Sequence, residues 1–172
     1  TLGNLTGYND GVTSGSYIYD DLGRKTAENV DYGSFTLGYA YEYYKNGLKK
    51  SFTNADGVTY SYSYTANNQL ETIDIPGTGV ISYNEYNWTM PKTVTLPGGS
   101  RKEFEYDSLM QVQHIKALDP ASNVIMDYQY SRDKEGNILS KIASSTLNAQ
   151  PSTFNYSYDK TYQLLKTVYP NQ

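Results

Sequence analysis

"YIYDDLGRK", residues 17–25, packs two tyrosines two apart, an Asp, a Gly three further on and a basic pair into one run. On a β-strand Tyr17 and Tyr19 share a face, because successive side chains alternate. Asp20-Asp21-Leu22-Gly23 then reads as a turn. An Asp at the first position of a type I turn caps it with its carboxylate. A Gly at the fourth supplies the positive φ of the bulge that rejoins the return strand. The stretch therefore predicts a hairpin, with Asp20 as turn-builder and the tyrosines as its ring-bearing face.

The arrangement recurs. Equivalent stretches are "YEYYKNGLK" from Tyr41, "YSYTANNQL" from Tyr62, "ISYNEYNWT" from Ile81, "FEYDSLMQV" from Phe104, "YQYSRDKEGNI" from Tyr128 and "YSYDKTYQL" from Tyr156. The anchors Tyr19, Tyr43, Tyr64, Tyr83, Tyr106, Tyr130 and Tyr158 lie 19 to 28 residues apart, and each has Tyr, Phe or Ile two residues before it. Self-similarity at such a period marks a repeat architecture. The expected first turn residues are Asp20, Tyr44, Thr65, Asn84, Asp107, Ser131 and Asp159. The expected fourth ones are Gly23, Gly47, Asn68, Asn87, Met110 and Tyr162, with Gly136 displaced by an insertion. Five of these seven fourth residues tolerate positive φ; Met110 and Tyr162 do not. The opposite hairpin ends carry "NADG" at 54–57, "PGTG" at 76–79, "PGGS" at 97–100 and "DPASN" at 119–123, which are turn signals. The fold is predicted as all-β: tandem antiparallel hairpins of about 14 short strands forming one curled strip over residues 1–172, with residues 1–16 a lead-in or partial repeat. The rings of Tyr60, Tyr62, Tyr64, Phe104, Tyr106, Tyr156 and Tyr158 are expected on one face. The last repeat is expected to run out at Pro170.

Composition agrees. The 172 residues include 20 Tyr, 4 Phe and 1 Trp, a balance that favours strands over helices. The formal net charge of -4 offers no basic stripe to phosphates, which argues against nucleic-acid binding. No apolar run approaches the length of a membrane-spanning helix. With no Cys, disulfides and thiolate metal sites are excluded.

Catalytic and cofactor chemistry finds little to rest on. His114 is the sole His, so no conventional zinc site is expected. Each of Asp20, Asp107 and Asp159 belongs to its own turn, so a facing carboxylate pair of the glycosidase kind is not predicted. "TNADGVTY" holds Asn54, Asp56 and Gly57 but lacks the acidic spacing of an EF-hand. No cofactor is expected. The tyrosines read as packing residues of a sheet, with cross-strand ring pairs as the stabilising unit. The alternative is an aromatic platform for a glycan, for which Trp88 and Tyr86 are the candidates. Sequons stand at Asn4, Asn87 and Asn155.

The motif resembles that of the YD-repeat (Rhs-repeat) family, roughly Tyr-x-Tyr-Asp-x-x-Gly-Arg-Leu. The first repeat matches at Tyr17, Tyr19, Asp20, Gly23 and Arg24, with Lys25 in place of Leu. "FEYDSLMQV" keeps Tyr106, Asp107 and the aliphatic Val112; "YSYDKTYQL" keeps Tyr156, Tyr158, Asp159 and Leu164. The middle repeats lose the Asp. Such repeats coil as a β-strip in Rhs proteins, toxin-complex shells, teneurins and bacterial wall-associated proteins. The resemblance implies a non-enzymatic scaffold, secreted or at a bacterial cell surface, that encloses or presents a toxin or other polypeptide. It implies neighbouring repeats of a longer chain as partners, since seven repeats read as a segment of a shell. Self-association of the isolated chain is a further expectation. A carbohydrate-binding or adhesive module is the rival reading.

Overall fold

The computed structural model describes residues 3–146 and 148–169. Fifteen strands and no helix occur among them, and strand order follows chain order. Two compact units divide the chain at Val80 and Ile81. The first holds β1 (Gly7–Asn9), β2 (Ser14–Tyr19), β3 (Lys25–Asp31), β4 (Thr36–Tyr43), β5 (Lys49–Thr53), β6 (Thr59–Tyr64) and β7 (Leu70–Ile75). The second holds β8 (Gly79–Asn87), which begins at the boundary, β9 (Met90–Thr95), β10 (Arg101–Tyr106), β11 (Val112–Leu118), β12 (Val124–Arg132), β13 (Ile138–Ser145), β14 (Asn148–Tyr158) and β15 (Leu164–Val168). Within each unit every strand pairs antiparallel with its sequence neighbour. The lead-in is not featureless: β1 lies within it and pairs with β2, and the ring of Tyr8 covers Gly15, where an added Cβ would fall 2.2 Å from it. The expected end at Pro170 lies outside the described residues.

The period-2 pattern sorts the faces. Along β14, Ser152, Phe154, Tyr156 and Tyr158 are half-buried while Pro151, Thr153, Asn155 and Ser157 are exposed. Tyr60, Tyr62, Tyr64, Phe104 and Tyr106 are likewise half-buried. Burial stops there. Among the described residues only Val30 and Leu118 are buried apolar side chains, and no side chain is fully enclosed. Stability therefore rests on neighbour-to-neighbour contacts along the strip, as in other repeat arrays, and less on a closed core.

The hairpin register locates the repeat. The ladder shifts immediately before Tyr19, Tyr43, Tyr64, Tyr106 and Tyr158, which pair with Lys25, Lys49, Leu70, Val112 and Leu164. In the sixth hairpin the shift falls before Arg132, paired with Ile138. Two sequence expectations are corrected here. The sixth turn opens at Asp133; Ser131 and Arg132 still belong to β12, so Arg132, not Tyr130, stands at the anchor position. In the fourth hairpin β8 runs on past Asn84 to Asn87, and Trp88-Thr89 forms a two-residue connection. Asn84 and Asn87 are thus strand residues, and the positive φ falls on Glu85 (50°) and Trp88 (55°). Tyr86, two residues before the turn and paired with Pro91, takes the place expected for Tyr83.

Candidate functional site

Among the described residues nine turns share one backbone signature. The fourth residue's N–H donates to the first residue's carbonyl, and the first residue's N–H donates to the fifth's carbonyl. In the first turn these bonds are Gly23 N to Asp20 O and Asp20 N to Arg24 O, each 2.9 Å. The fourth residues all have positive φ: Gly23 (75°), Gly47 (89°), Gly57 (78°), Asn68 (62°), Gly99 (91°), Met110 (64°), Ser122 (69°), Gly136 (92°) and Tyr162 (64°). Met110 and Tyr162 adopt a conformation that a Cβ resists. The two ladder bonds and the cap at the first residue hold them there.

The cap is built from the first residue's side chain. Asp20 Oδ1 accepts from Leu22 N at 3.0 Å and Arg24 N at 2.9 Å. Asp107 Oδ1 does the same for Leu109 N and Gln111 N, both at 2.9 Å. Asp159 Oδ1 takes Thr161 N at 2.8 Å and Gln163 N at 2.9 Å. Asn54 spends its Oδ1 on Asp56 N and Val58 N, both at 3.0 Å. The Arg24 N–H bond is the main cause that holds the Asp20 carboxyl below its ordinary range, and the Gln163 N–H bond does so for Asp159. Hydrogen bonding from Asn123 lowers Asp119, and from Asn137 lowers Asp133.

A second set of bonds runs from hairpin to hairpin. The Tyr43 hydroxyl donates to Lys25 O at 2.8 Å, and Lys25 is the residue paired with the preceding anchor, Tyr19. Tyr106 donates to Pro91 O at 2.8 Å, and Pro91 is paired with Tyr86. Tyr158 donates to Ile138 O at 3.0 Å, and Ile138 is paired with Arg132. Arg132 itself reaches Val112 O at 3.4 Å, and Val112 is paired with Tyr106. The guanidinium thus reproduces the phenol's contact, although its Nε is buried without a partner. Tyr19 closes the series by donating to Leu5 O at 2.8 Å. The anchor is thus a lock: Tyr43, Tyr106, Arg132 and Tyr158 each clamp the return strand of the hairpin before their own.

Arg24 adds a lock in the other direction. Its Nε meets Asp20 Oδ2 at 2.7 Å, its Nη1 donates to Tyr44 O at 3.0 Å, and its guanidinium lies 4.8 Å from the centre of the Tyr43 ring. The Gly-Arg pair of the first stretch therefore ties one turn to the next. On the ring face, lysines alternate with rings. Lys25 Nζ lies 5.4 Å from both Tyr17 and Tyr41, and Lys49 lies 5.8 Å from Tyr41 and 5.6 Å from Tyr62. Lys141 stands 3.8 Å from Tyr128 in the second unit. Such cation–π contacts contribute roughly 0.5–1 kcal/mol each at exposed sites. Sequence reading missed this row, although Lys25 and Lys49 both stand two residues after a turn glycine. Burial of the rings raises the Tyr41, Tyr62, Tyr64, Tyr86, Tyr106 and Tyr130 hydroxyls above their ordinary pKa.

The remaining candidates are dispersed. His114 lies between two carboxylates on neighbouring strands, with Nε2 2.7 Å from Asp127 and Nδ1 3.4 Å from Glu105. The acids bracket opposite edges of the ring, so they do not converge on one point. Among the described residues no His, Asp and Glu group is placed to hold a metal. Trp88 sits at its hairpin tip, 78% exposed, while the neighbouring Tyr86 is half-buried. Asn4 donates to Gly23 O at 3.2 Å, Asn87 ends β8 and Asn155 is exposed on β14. Asp20, Asp107 and Asp159 each remain within their own turns.

These features define a repeat protein of antiparallel hairpins joined by anchor side chains. The chain belongs to the teneurin YD-shell family, whose model matches residues 1–172. No curated protein sequence matches it. Among solved structures it is similar to a chain of the TcdB2–TccC3–Cdc42 crystal structure, with TM-score 0.84 and 16% identity over 96% of this chain and 9% of that one. A chain of the Photorhabdus luminescens Tc holotoxin pore gives TM-score 0.82 and 16% identity over the same shares. At that identity the likeness concerns the fold, and this chain spans about a tenth of the length of those it matches.

Proposed function

We propose that the chain is a wall segment of a YD-repeat shell, secreted or displayed at a cell surface, that encloses or presents another polypeptide. The observation that supports this reading is the chained lock. Tyr43, Tyr106, Arg132 and Tyr158 each bond the return strand of the preceding hairpin. A device that repeats from hairpin to hairpin suits an extended wall, which needs the same joint many times. Family membership and the likeness to toxin-complex chains point the same way. The role proposed is non-catalytic, since the recurring carboxylates Asp20, Asp107 and Asp159 are committed to turn amides. The domain reading is a single array of seven hairpins, with neighbouring repeats of a longer chain as its partners.

Limited proteolysis of the full parent protein tests this. A polypeptide segment protected in the intact protein and cleaved once the repeats are deleted is the expected result. Equal cleavage in both refutes enclosure. The rival reading, a glycan-binding surface module, draws on the exposure of Trp88. A glycan array on which Trp88→Ala abolishes binding would favour it.

A further inference from the structure

We infer that Asn46 is a site of spontaneous deamidation, and that its conversion unlocks the second hairpin turn from the third. Asn46-Gly47 is the single Asn-Gly step in the chain, and glycine leaves the backbone nitrogen open to cyclisation. Both residues are exposed, and no heavy atom lies within 4 Å of a Cβ built on Gly47. The Asn46 side chain is folded back over the turn, with Oδ1 accepting from Leu48 N at 3.2 Å. The Asn46 Nδ2 donates to Asn68 Oδ1 at 2.9 Å, a side-chain hydrogen bond between the second and third turns.

The reaction needs only water. The Gly47 backbone nitrogen adds to Asn46 Cγ and gives up its proton. The Cγ–Nδ2 bond breaks and the nitrogen leaves as ammonia, which gives a five-membered succinimide. Water then opens either carbonyl, yielding Asp or isoaspartate. In the folded turn Gly47 N–H donates to Tyr44 O at 3.0 Å, so cyclisation proceeds from states in which this turn has opened. The succinimide has no N–H to return to Tyr44, and the final carboxylate has no donor for Asn68 Oδ1. Where a donor met an acceptor, two acceptors then face each other, and isoaspartate lengthens the main chain inside a turn whose length is set by its register.

The test is peptide mapping by mass spectrometry, with an isoaspartate assay, on the folded chain held at mildly alkaline pH. Asn46 is expected to convert ahead of every other Asn, with isoaspartate among the products. Asn68→Gly, which removes the acceptor and keeps the third turn's positive φ of 62°, is checked for intact strand content by circular dichroism and is expected to convert about five-fold faster at Asn46, the factor by which loss of one ordinary hydrogen bond raises local opening. Conversion of any other Asn ahead of Asn46 would overturn the site. An unchanged rate in Asn68→Gly would overturn the coupling between the turns. Product carrying Asp or isoaspartate at residue 46 should show faster amide exchange at Gly47 and Asn68 than the parent; equal exchange would also overturn the coupling.

Discussion

The first hairpin and the sixth solve one problem with different residues. In the first, Tyr19 is the anchor, Asp20 the cap, Gly23 the positive-φ residue and Arg24 the tie to the next turn. In the sixth, β12 is longer, Arg132 occupies the anchor and Asp133 to Asn137 make the turn. Both place the register shift immediately before the anchor, and both reach a carbonyl of the preceding hairpin or lead-in. The joint is therefore defined by where the ladder shifts and what carbonyl lies opposite. Tyrosine is its usual occupant, and a long donor of another kind can serve.

The largest expected effect breaks the first hairpin at its turn. Gly23→Val forces a β-branched residue to positive φ and should cost roughly 1–2 kcal/mol in chemical unfolding. An unchanged midpoint would show that the turn tolerates any side chain. Tyr43→Phe removes the hydroxyl donor to Lys25 O while keeping the ring, and should cost about 1 kcal/mol by the same measurement. No loss would mean that the hydroxyl bond is incidental to the fold.

Arg132→Tyr sharpens the comparison from the other side. It restores the usual anchor and removes a buried Nε without a partner, so a gain of up to about 1 kcal/mol is expected. A loss would show that Arg132 is not the anchor equivalent. Tyr162→Gly relieves a strained φ of 64° against the chain entropy of glycine, leaving a gain near 0.5 kcal/mol. The smallest effect is electrostatic. The folded values of Asp20, Asp119, Asp133 and Asp159 are lowered, so their contribution is present above the ordinary Asp pKa of about 3.9 and is lost as pH falls through the folded values. Thermal melts should fall in that acid range, and less steeply in Asp20→Asn; identical slopes would dismiss the cap's charge.

Much of this was legible in the sequence. The ring-bearing strands follow from strict alternation, and Asp20, Asp107 and Asp159 were readable as caps because Asp has a known local bond to make. The sixth anchor was not readable, since Tyr130 matches the motif better than Arg132 does. Only the register, a property of two strands, reveals the insertion. The fourth hairpin misled for a like reason: Asn84 and Asn87 are good turn residues in isolation, but continued pairing with β9 carries the strand past them. Met110 and Tyr162 show a local override: turn bonds spanning three and four residues, with the Asp caps, fix a φ that their side chains disfavour. The hairpin-to-hairpin bonds were out of reach because their acceptors are main-chain carbonyls, which no sequence letter encodes.

Hydrogen exchange on Tyr43→Phe tests the lock most directly. If each anchor clamps the return strand before it, exchange should quicken in Lys25–Asp31 and its pairing with Ser14–Tyr19, while Thr59–Tyr64 and Leu70–Ile75 keep the parent's protection. A change confined to the strand that carries Tyr43, or no change at all, would contradict the account.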